Sequence, residues 1–185
     1  MKRTYLVLLL VVLLGATVSA REVVIHDFDT DENLRVEAAN GGILELFELT
    51  SDGAIEGKSS AALVFDLTTP DQSWSEVQVI IDCEKPMDID GFDQVKLWVH
   101  GDGTPHNVII LFWDGFLECS VWGQVGWEGW HEWVIDLAET PNKWNVENVR
   151  LDRVERVRIV ISDSNGIYKT KGKILVDRLA VAFGE

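Results

Sequence analysis

Short turn signals interrupt this sequence so often that only short segments of regular structure fit between them. Asn-Gly, Asp-Gly, Gly-x-Gly and Pro steps recur about every 10–12 residues, a spacing that accommodates strands and leaves little room for helices. The steps are Asn40-Gly41, Asp52-Gly53, Asp90-Gly91, Gly101-Asp102-Gly103, Asp114-Gly115, Asn165-Gly166, Pro70, Pro86, Pro105 and Pro141. The intervening segments are rich in Val, Ile, Phe and Trp, which favour strands. The sequence therefore predicts an all-β fold.

Side-chain alternation within these segments predicts a layered arrangement of sheets. The segment VKLWVH at residues 95–100 places its valines and leucine on one face and Lys96, Trp98 and His100 on the other. Residues 108–113 are apolar on both faces, so we expect that strand near the centre of a sheet. About nine or ten such strands in one domain form a β-sandwich, and we predict a jelly roll. Only residues 146–157 leave room for a short helical turn.

The beginning of the chain has the composition of a secretory signal peptide. Lys2 and Arg3 precede an apolar run at residues 5–14, and small residues end the segment at Val18-Ser19-Ala20. We therefore predict a signal peptide at residues 1–20 and one β-sandwich domain at residues 21–185, secreted to an extracellular or periplasmic location. An uncleaved anchor is the alternative. No second apolar segment approaches the ~20 residues of a membrane span, so we expect no membrane insertion after cleavage.

The chain is strongly acidic. Its 16 basic and 31 acidic side chains give a net charge of −15. Removal of Lys2 and Arg3 with the signal peptide leaves 14 basic residues and a charge of −17. Such a chain has few cations with which to neutralise phosphates, so we predict no nucleic-acid partner. The same charge argues against binding to anionic membrane surfaces.

Sequence patterns typical of enzymes fail on inspection. His131-Glu132 is followed by Ile135 where a zinc protease requires its second histidine, and no Gly-x-Ser-x-Gly motif occurs. Residues 27–31 begin like an EF-hand loop, but Glu32 stands where that loop requires glycine. A glycosidase pair cannot be recognised among so many carboxylates. We predict a non-enzyme and retain a polysaccharide-degrading enzyme as an alternative.

The two cysteines leave two interpretations open. Cys83 and Cys119 both follow the signal peptide, and an oxidising compartment permits a disulfide between them. The alternative is a pair of buried thiols.

Tryptophan is unusually abundant for a chain of this size. The eight tryptophans all follow the signal peptide, at positions 74, 98, 113, 122, 127, 130, 133 and 144. Indole rings are large, rigid and amphipathic, so they can stack on the apolar faces of sugar rings while their N–H groups hydrogen-bond hydroxyls. A surplus of tryptophan beyond the needs of the core therefore indicates a sugar-binding surface.

Five segments in order resemble the galactose-binding-like jelly rolls. These segments are VIHDFD at 24–29, EGKSSAAL at 56–63, GFDQVKLWVHGDG at 91–103, GWHEWVIDL at 129–137 and ILVDRL at 174–179. The resemblance is to carbohydrate-binding modules related to families 11 and 30 and to the similar complex I intermediate-associated domain. It implies a jelly roll whose concave outer sheet face forms a ligand cleft.

The resemblance also implies a structural calcium ion where the first and last strands meet. Asp29 falls at the family's acidic position in the first strand, and Asp177 falls at the corresponding position in the last. The alternative is a pair of aspartates that hydrogen-bond the local backbone.

The tryptophans divide into expected core residues and expected ligand platforms. We assign Trp74, Trp130 and Trp133 to the core and Trp144 to loop packing. The predicted carbohydrate-binding residues are Trp98, His100, Trp113, Glu118, Trp122 and Trp127, with Glu76, Gln78 and Asp114 as further polar partners. Two roles remain open for Trp127, which could act as a lid over a ligand or cover the edge of the core.

Together these observations predict a secreted, non-catalytic carbohydrate-binding module. A polysaccharide or oligosaccharide would bind in a shallow tryptophan-lined cleft through stacking and hydrogen bonds. The alternative is a protein-interaction or surface-assembly domain of the same fold, whose partner is another protein rather than a glycan.

Overall fold

The computed structural model describes residues 21–69, 74–163 and 169–184. The predicted signal peptide at residues 1–20 lies outside these ranges. The described residues form the strands β1 (Glu22–His26), β2 (Leu34–Ala39), β3 (Ile43–Thr50), β4 (Ser60–Asp66), β5 (Glu76–Met87), β6 (Gln94–Asp102), β7 (His106–Trp113), β8 (Glu118–Val125), β9 (Glu128–Asp136), β10 (Lys143–Trp144), β11 (Val154–Ser162) and β12 (Lys171–Ala182). Two single-turn 3-10 helices, Val146–Asn148 and Leu151–Arg153, precede β11, within the segment where a short helical turn is predicted.

The strands form two six-stranded antiparallel sheets. The front sheet has the order β10-β8-β7-β11-β5-β2. The back sheet has the order β3-β4-β12-β6-β9, with β1 also paired to β12. This arrangement confirms the predicted all-β sandwich, and β7 lies inside its sheet between β8 and β11, as its apolar sequence indicates.

Period-two alternation builds the core between the sheets. On β6, Val95, Leu97 and Val99 are buried whereas Trp98 and His100 are only half-buried, which confirms the predicted facing of this strand. Phe65 and Phe112 are among the largest fully buried side chains. Each fully buried large apolar side chain contributes about 1.5–3 kcal/mol of transfer free energy, so alternation over many strands supplies the main driving force.

The core contains a free thiol rather than a disulfide. Cys119 is buried and Cys83 is half-buried, and both are free. Burial raises the pKa of the Cys83 thiol to about 11 and that of the Cys119 thiol to about 12. Both thiols therefore stay protonated and unreactive near neutral pH. The disulfide alternative does not hold.

The described residues contain no helix long and apolar enough to cross a membrane.

Candidate functional site

A groove on the outer face of the front sheet gathers three of the eight tryptophans. We call it the tryptophan groove. It has a volume of about 380 Å³ and is lined by Trp74, Asn107, Ile109, Ser120, Trp122, Trp144 and Ser162. The inward residues of β7 and β8, such as Ile110 and Val121, fill the core, so their neighbours along each strand point outward.

Strand register sets the floor of this groove. Trp122 on β8 pairs with Ile109 on β7, and Asn107 pairs with Ser162 on β11. Asn107, Ser120 and Ser162 are uncharged polar residues on this part of the front sheet. The floor therefore combines an indole and an aliphatic side chain with hydroxyl and amide groups.

Two further tryptophans form the walls. Trp74 precedes β5, and its indole N–H donates to Glu76 Oε2 at 2.7 Å, which fixes the ring beside the sheet. Trp144 lies on the two-residue strand β10 and pairs with Ser120 at the edge of the front sheet. The side chains remain 37% and 55% exposed respectively, so ring surface is available to a ligand.

The other half of the front face is charged and already paired. Asp82 accepts hydrogen bonds from Arg35 at 2.8 Å and from Arg156 at 2.5 Å. The Arg156 guanidinium also lies over the Trp113 ring, 4.7 Å from its centroid. Glu118 forms an ion pair with Arg158. Trp113 and Glu118 thus share the front face with Trp122, but each already contacts an arginine.

Trp98 and His100 lie on the other side of the molecule. Both point outward from β6, which belongs to the back sheet, and His100 packs edge-on against Trp130 with ring centroids 5.5 Å apart. The six predicted carbohydrate-binding residues therefore do not line one cleft. The alternation of side chains correctly predicted that Trp98 points away from the core, but it cannot reveal which sheet a strand joins.

Trp127 covers the edge of the core. Its indole N–H donates to the Val99 carbonyl at 3.1 Å, and the ring packs against the core cluster and lies 5.3 Å from the ring of His131. Of the two interpretations that the sequence left open for Trp127, the structure supports the core cover.

The three predicted polar partners have separate roles. Glu76 accepts the indole N–H of Trp74 and so holds that ring beside the sheet. Gln78 lies on the outer face of the front sheet and its Oε1 is 3.4 Å from Arg158. Asp114 is buried in the β7–β8 turn, where it accepts N–H bonds from Phe116, Leu117 and Arg150 at 2.8–2.9 Å. These bonds, led by those from Leu117 and Arg150, hold the pKa of Asp114 below its usual value.

Asp29 and Asp177 both bind the loop between β3 and β4, residues 51–59. Asp177 Oδ2 accepts the N–H groups of Ile55 and Glu56 at 2.8 and 3.1 Å. Asp29 Oδ1 accepts those of Lys58 and Ser59. Burial raises the pKa of Asp177, and the charge of Asp29 adds to the shift.

The fit of this pair to a cation is partial. Asp177 Oδ1 is buried without a hydrogen-bond partner in the part of the chain that the structure describes. Carboxylate oxygens are the ligands that calcium prefers. However, within the described ranges no group of three or more His, Cys, Asp or Glu side chains is placed to hold a metal ion. Any further ligands would have to be main-chain carbonyls or water.

Sequence reasoning missed most of the tryptophan groove. It identified Trp122 but placed Trp74 in the core and Trp144 in loop packing, and it did not select Asn107, Ser120 or Ser162. Asn107 stands out beside the apolar run at residues 108–113, but Ser120 and Ser162 do not, because β8 and β11 carry other polar side chains. No comparable signal reveals a strand as short as β10.

The fold is shared with carbohydrate-binding modules of known structure. The family 11 module from Clostridium thermocellum, solved in complex with a β-1,3-1,4-mixed-linked tetrasaccharide, is 11% identical with a TM-score of 0.64, covering 88% of this chain and 96% of that one. A family 27 module, described for specific mannan recognition, is 13% identical with a TM-score of 0.55, covering 90% of this chain and all 100% of that one.

Part of a larger protein also has this fold. An exo-β-agarase is 12% identical with a TM-score of 0.60, and the match covers 88% of this chain and 25% of that one. The chain matches no protein-family model and no curated protein sequence. At these identities the likeness establishes the fold alone, and it confirms the predicted β-sandwich jelly roll. The predicted resemblance to the complex I intermediate-associated domain is not among these findings.

Proposed function

We propose that this protein is an exported, non-catalytic module that binds a glycan in the tryptophan groove. The observation that carries the proposal is the set of three indoles, with Trp122 in the floor beside uncharged polar groups and Trp74 and Trp144 in the walls. Indoles stack on sugar rings, and amide and hydroxyl groups exchange hydrogen bonds with sugar hydroxyls directly or through water. The signal-peptide composition of residues 1–20 supports export.

The lining chemistry favours binding over turnover. None of the described residues that line the groove carries a carboxylate, an imidazole or an amine. Glycoside hydrolysis requires two carboxyl groups placed on either side of the bond that breaks. The solved modules with the same fold add support, since their descriptions name a mixed-linked tetrasaccharide and mannan.

Affinity electrophoresis and calorimetry against mixed-linkage glucan, cellulose, xylan, mannan and pectin test this proposal. We expect one or more polysaccharides to bind and Trp122→Ala to weaken binding at least tenfold, because one stacking ring is lost. Trp98→Ala is the matched control, since Trp98 lies on the back sheet, and it should bind like the wild type.

Two results would contradict the proposal. Equal loss of affinity in both variants would remove the tryptophan groove as the site, and no retention by any polysaccharide would remove glycan binding. Release of reducing sugar during the same incubations would instead favour an enzyme.

One feature favours protein interaction as a second candidate function. At the tip of the β7–β8 hairpin Phe116 is 87% exposed and Leu117 is 48% exposed, while Asp114 holds the turn rigid. A rigid apolar tip is suited to insertion into a pocket on another protein. Retention of a partner protein by a chain that retains no glycan would support this candidate.

We further propose that calcium binds between Asp29 and Asp177. The support is Asp177 Oδ1, which is buried and has no hydrogen-bond partner among the described residues, and the charge of the nearby Asp29 carboxylate. The ion would neutralise the two charges and fasten the 51–59 loop to β12, a structural role.

A further inference from the structure

A second cavity adjoins the tryptophan groove at the open edge between the two sheets. We call it the edge pocket. It has a volume of about 330 Å³, and its lining includes Trp122, Trp133, Asp136, Glu139 and Asn142. It lies between β8 of the front sheet and β9 of the back sheet, outside the face on which the tryptophan groove runs.

The two cavities share one ring, and one continuous segment of chain borders both. Trp122 lines each of them. The β9–β10 connection supplies Glu139 and Asn142 to the edge pocket and leads directly into Trp144, a wall of the tryptophan groove. This connection is fastened along β8. The main-chain N–H of Trp122 donates to the Asn142 carbonyl at 3.1 Å, and Trp144 pairs with Ser120.

The β9–β10 connection, which forms a wall of the edge pocket, is also held internally. The Thr140 N–H donates to the Asp136 carbonyl at 2.9 Å, and the Asn142 N–H donates to Thr140 Oγ1 at 3.0 Å. A wall that is already ordered loses little conformational entropy when a ligand binds, which favours affinity.

Gly123 makes room for Trp133, the second indole of the edge pocket. A Cβ atom at Gly123 would lie 3.0 Å from Cζ2 of Trp133, so close that the ring would have to give way by a few tenths of an ångström. Because Gly123 has no side chain, Trp133 lies close against β8 at the residue that follows Trp122. Both indoles line the edge pocket.

We infer that the tryptophan groove and the edge pocket form one path for a single neutral glycan chain that turns over Trp122. This inference rests on the proposed function and adds a second subsite to it. Trp133 is half-buried and packs against the core cluster, as its sequence predicts, but part of its ring lines the edge pocket. That part would stack on a sugar ring, while Glu139 and the Asn142 amide would accept and donate hydrogen bonds with its hydroxyls.

The charge of the edge pocket selects the class of sugar. Asp136 and Glu139 are both carboxylates, and none of the described lining residues is basic. Hydrogen bonds led by the Ala138 N–H hold the pKa of Asp136 below its usual value, so it stays ionised. The positive charge of Lys143 also lowers the pKa of Asp136, but the Lys143 ammonium donates its hydrogen bond to the Leu137 carbonyl. Uronate-bearing chains would be repelled, whereas uncharged sugars offer only hydroxyl groups.

Calorimetry with a series of oligosaccharides of increasing length tests the path. The probes are mixed-linkage β-1,3-1,4-gluco-oligosaccharides of two to eight sugars, or xylo- or manno-oligosaccharides if the polysaccharide panel favours xylan or mannan. We expect wild-type affinity to rise at least tenfold from the shortest binding chain to the longest. The double variant Glu139→Ala/Asn142→Ala should lose that rise and keep the affinity for short chains within twofold.

Separate outcomes identify which proposal fails. If the double variant keeps the full rise with length, or if wild-type affinity is already maximal for the shortest chain, the path is wrong while the groove stands. Tight binding of oligogalacturonides would overturn the choice of neutral sugars. If no polysaccharide or oligosaccharide binds the wild type, both the proposed function and the path are wrong.

Discussion

At the scale of single residues, the aromatic side chains differ mainly in what their neighbours leave free. Trp113 points to the same face as Trp122, but Arg156 covers its ring. Trp127 donates its indole N–H to the Val99 carbonyl, whereas Trp144 remains 55% exposed. The value of a tryptophan as a ligand platform is therefore decided by its contacts rather than by its presence in the sequence.

Asp114 gives the first prediction at this scale. Asp114→Ala should lower the free energy of unfolding by about 2 kcal/mol, because the Leu117 and Arg150 N–H groups lose a buried acceptor. Urea unfolding followed by tryptophan fluorescence measures the change. Asp88→Ala is the matched control, since exposed Asp88 accepts a single N–H, from Asp90, and should change stability by less than about 0.5 kcal/mol. Equal effects of the two changes would contradict the assigned role of Asp114.

At the scale of elements, two aspartates far apart in the sequence hold the 51–59 loop. Asp29 lies in the turn after β1, and Asp177 lies on β12. Gly57 is required for this clamp, because it has a positive φ of 70° and a Cβ there would lie 2.5 Å from Asp29 Oδ1. The loop backbone thus approaches the carboxylate more closely than any residue with a side chain permits.

The calcium proposal predicts that the stability of this clamp depends on the ion. Calcium should raise the melting temperature relative to chelator, because an ion that binds only the folded chain stabilises it. The variant Asp177→Asn should lose this dependence, whereas Asp136→Asn, a change to an aspartate at the end of β9, should retain it. Differential scanning calorimetry measures the shift. Identical wild-type melting with calcium and with chelator would leave the aspartates as acceptors of loop N–H groups alone.

At the scale of the whole molecule, some structural properties follow from local sequence and others depend on strand pairing. Turn spacing and alternation gave the all-β sandwich and the outward facing of Trp98, because both properties repeat over a few residues. The groove depends on which strands pair. Trp74, Asn107 and Trp144 are far apart in the chain and meet only because β7 lies beside β11 and β10 joins the edge of β8. Neither period nor composition carries that information.

The last prediction concerns the dependence of global stability on pH. Burial lowers the pKa of both His106 and His26, with Asp102 opposing the shift at His106 and the Glu32 carbonyl opposing it at His26. A histidine with a lowered folded pKa binds more protons when unfolded, so stability is full above the unfolded value of about 6.5 and falls as pH drops below it.

A second loss should follow at lower pH from the aspartates. The Lys171 ammonium and the Thr68 hydroxyl lower the pKa of Asp66 to about 2, so its stabilising contribution is present above about 4 and disappears as pH falls towards 2. Asp177 acts in the opposite direction, because its raised pKa means that protonation favours the folded chain.

Urea unfolding at intervals from pH 8 to pH 3 should therefore show two successive declines in stability. His106→Gln should reduce the slope between pH 6.5 and 5, because it removes a group that is fully buried against Asp102, Thr170 and Phe65. The exposed His131 supplies the control, and His131→Gln should leave the slope unchanged. An unaltered slope in the His106 variant would mean that the upper decline arises elsewhere, and stability that is constant from pH 8 to 5 would exclude a contribution from either buried histidine.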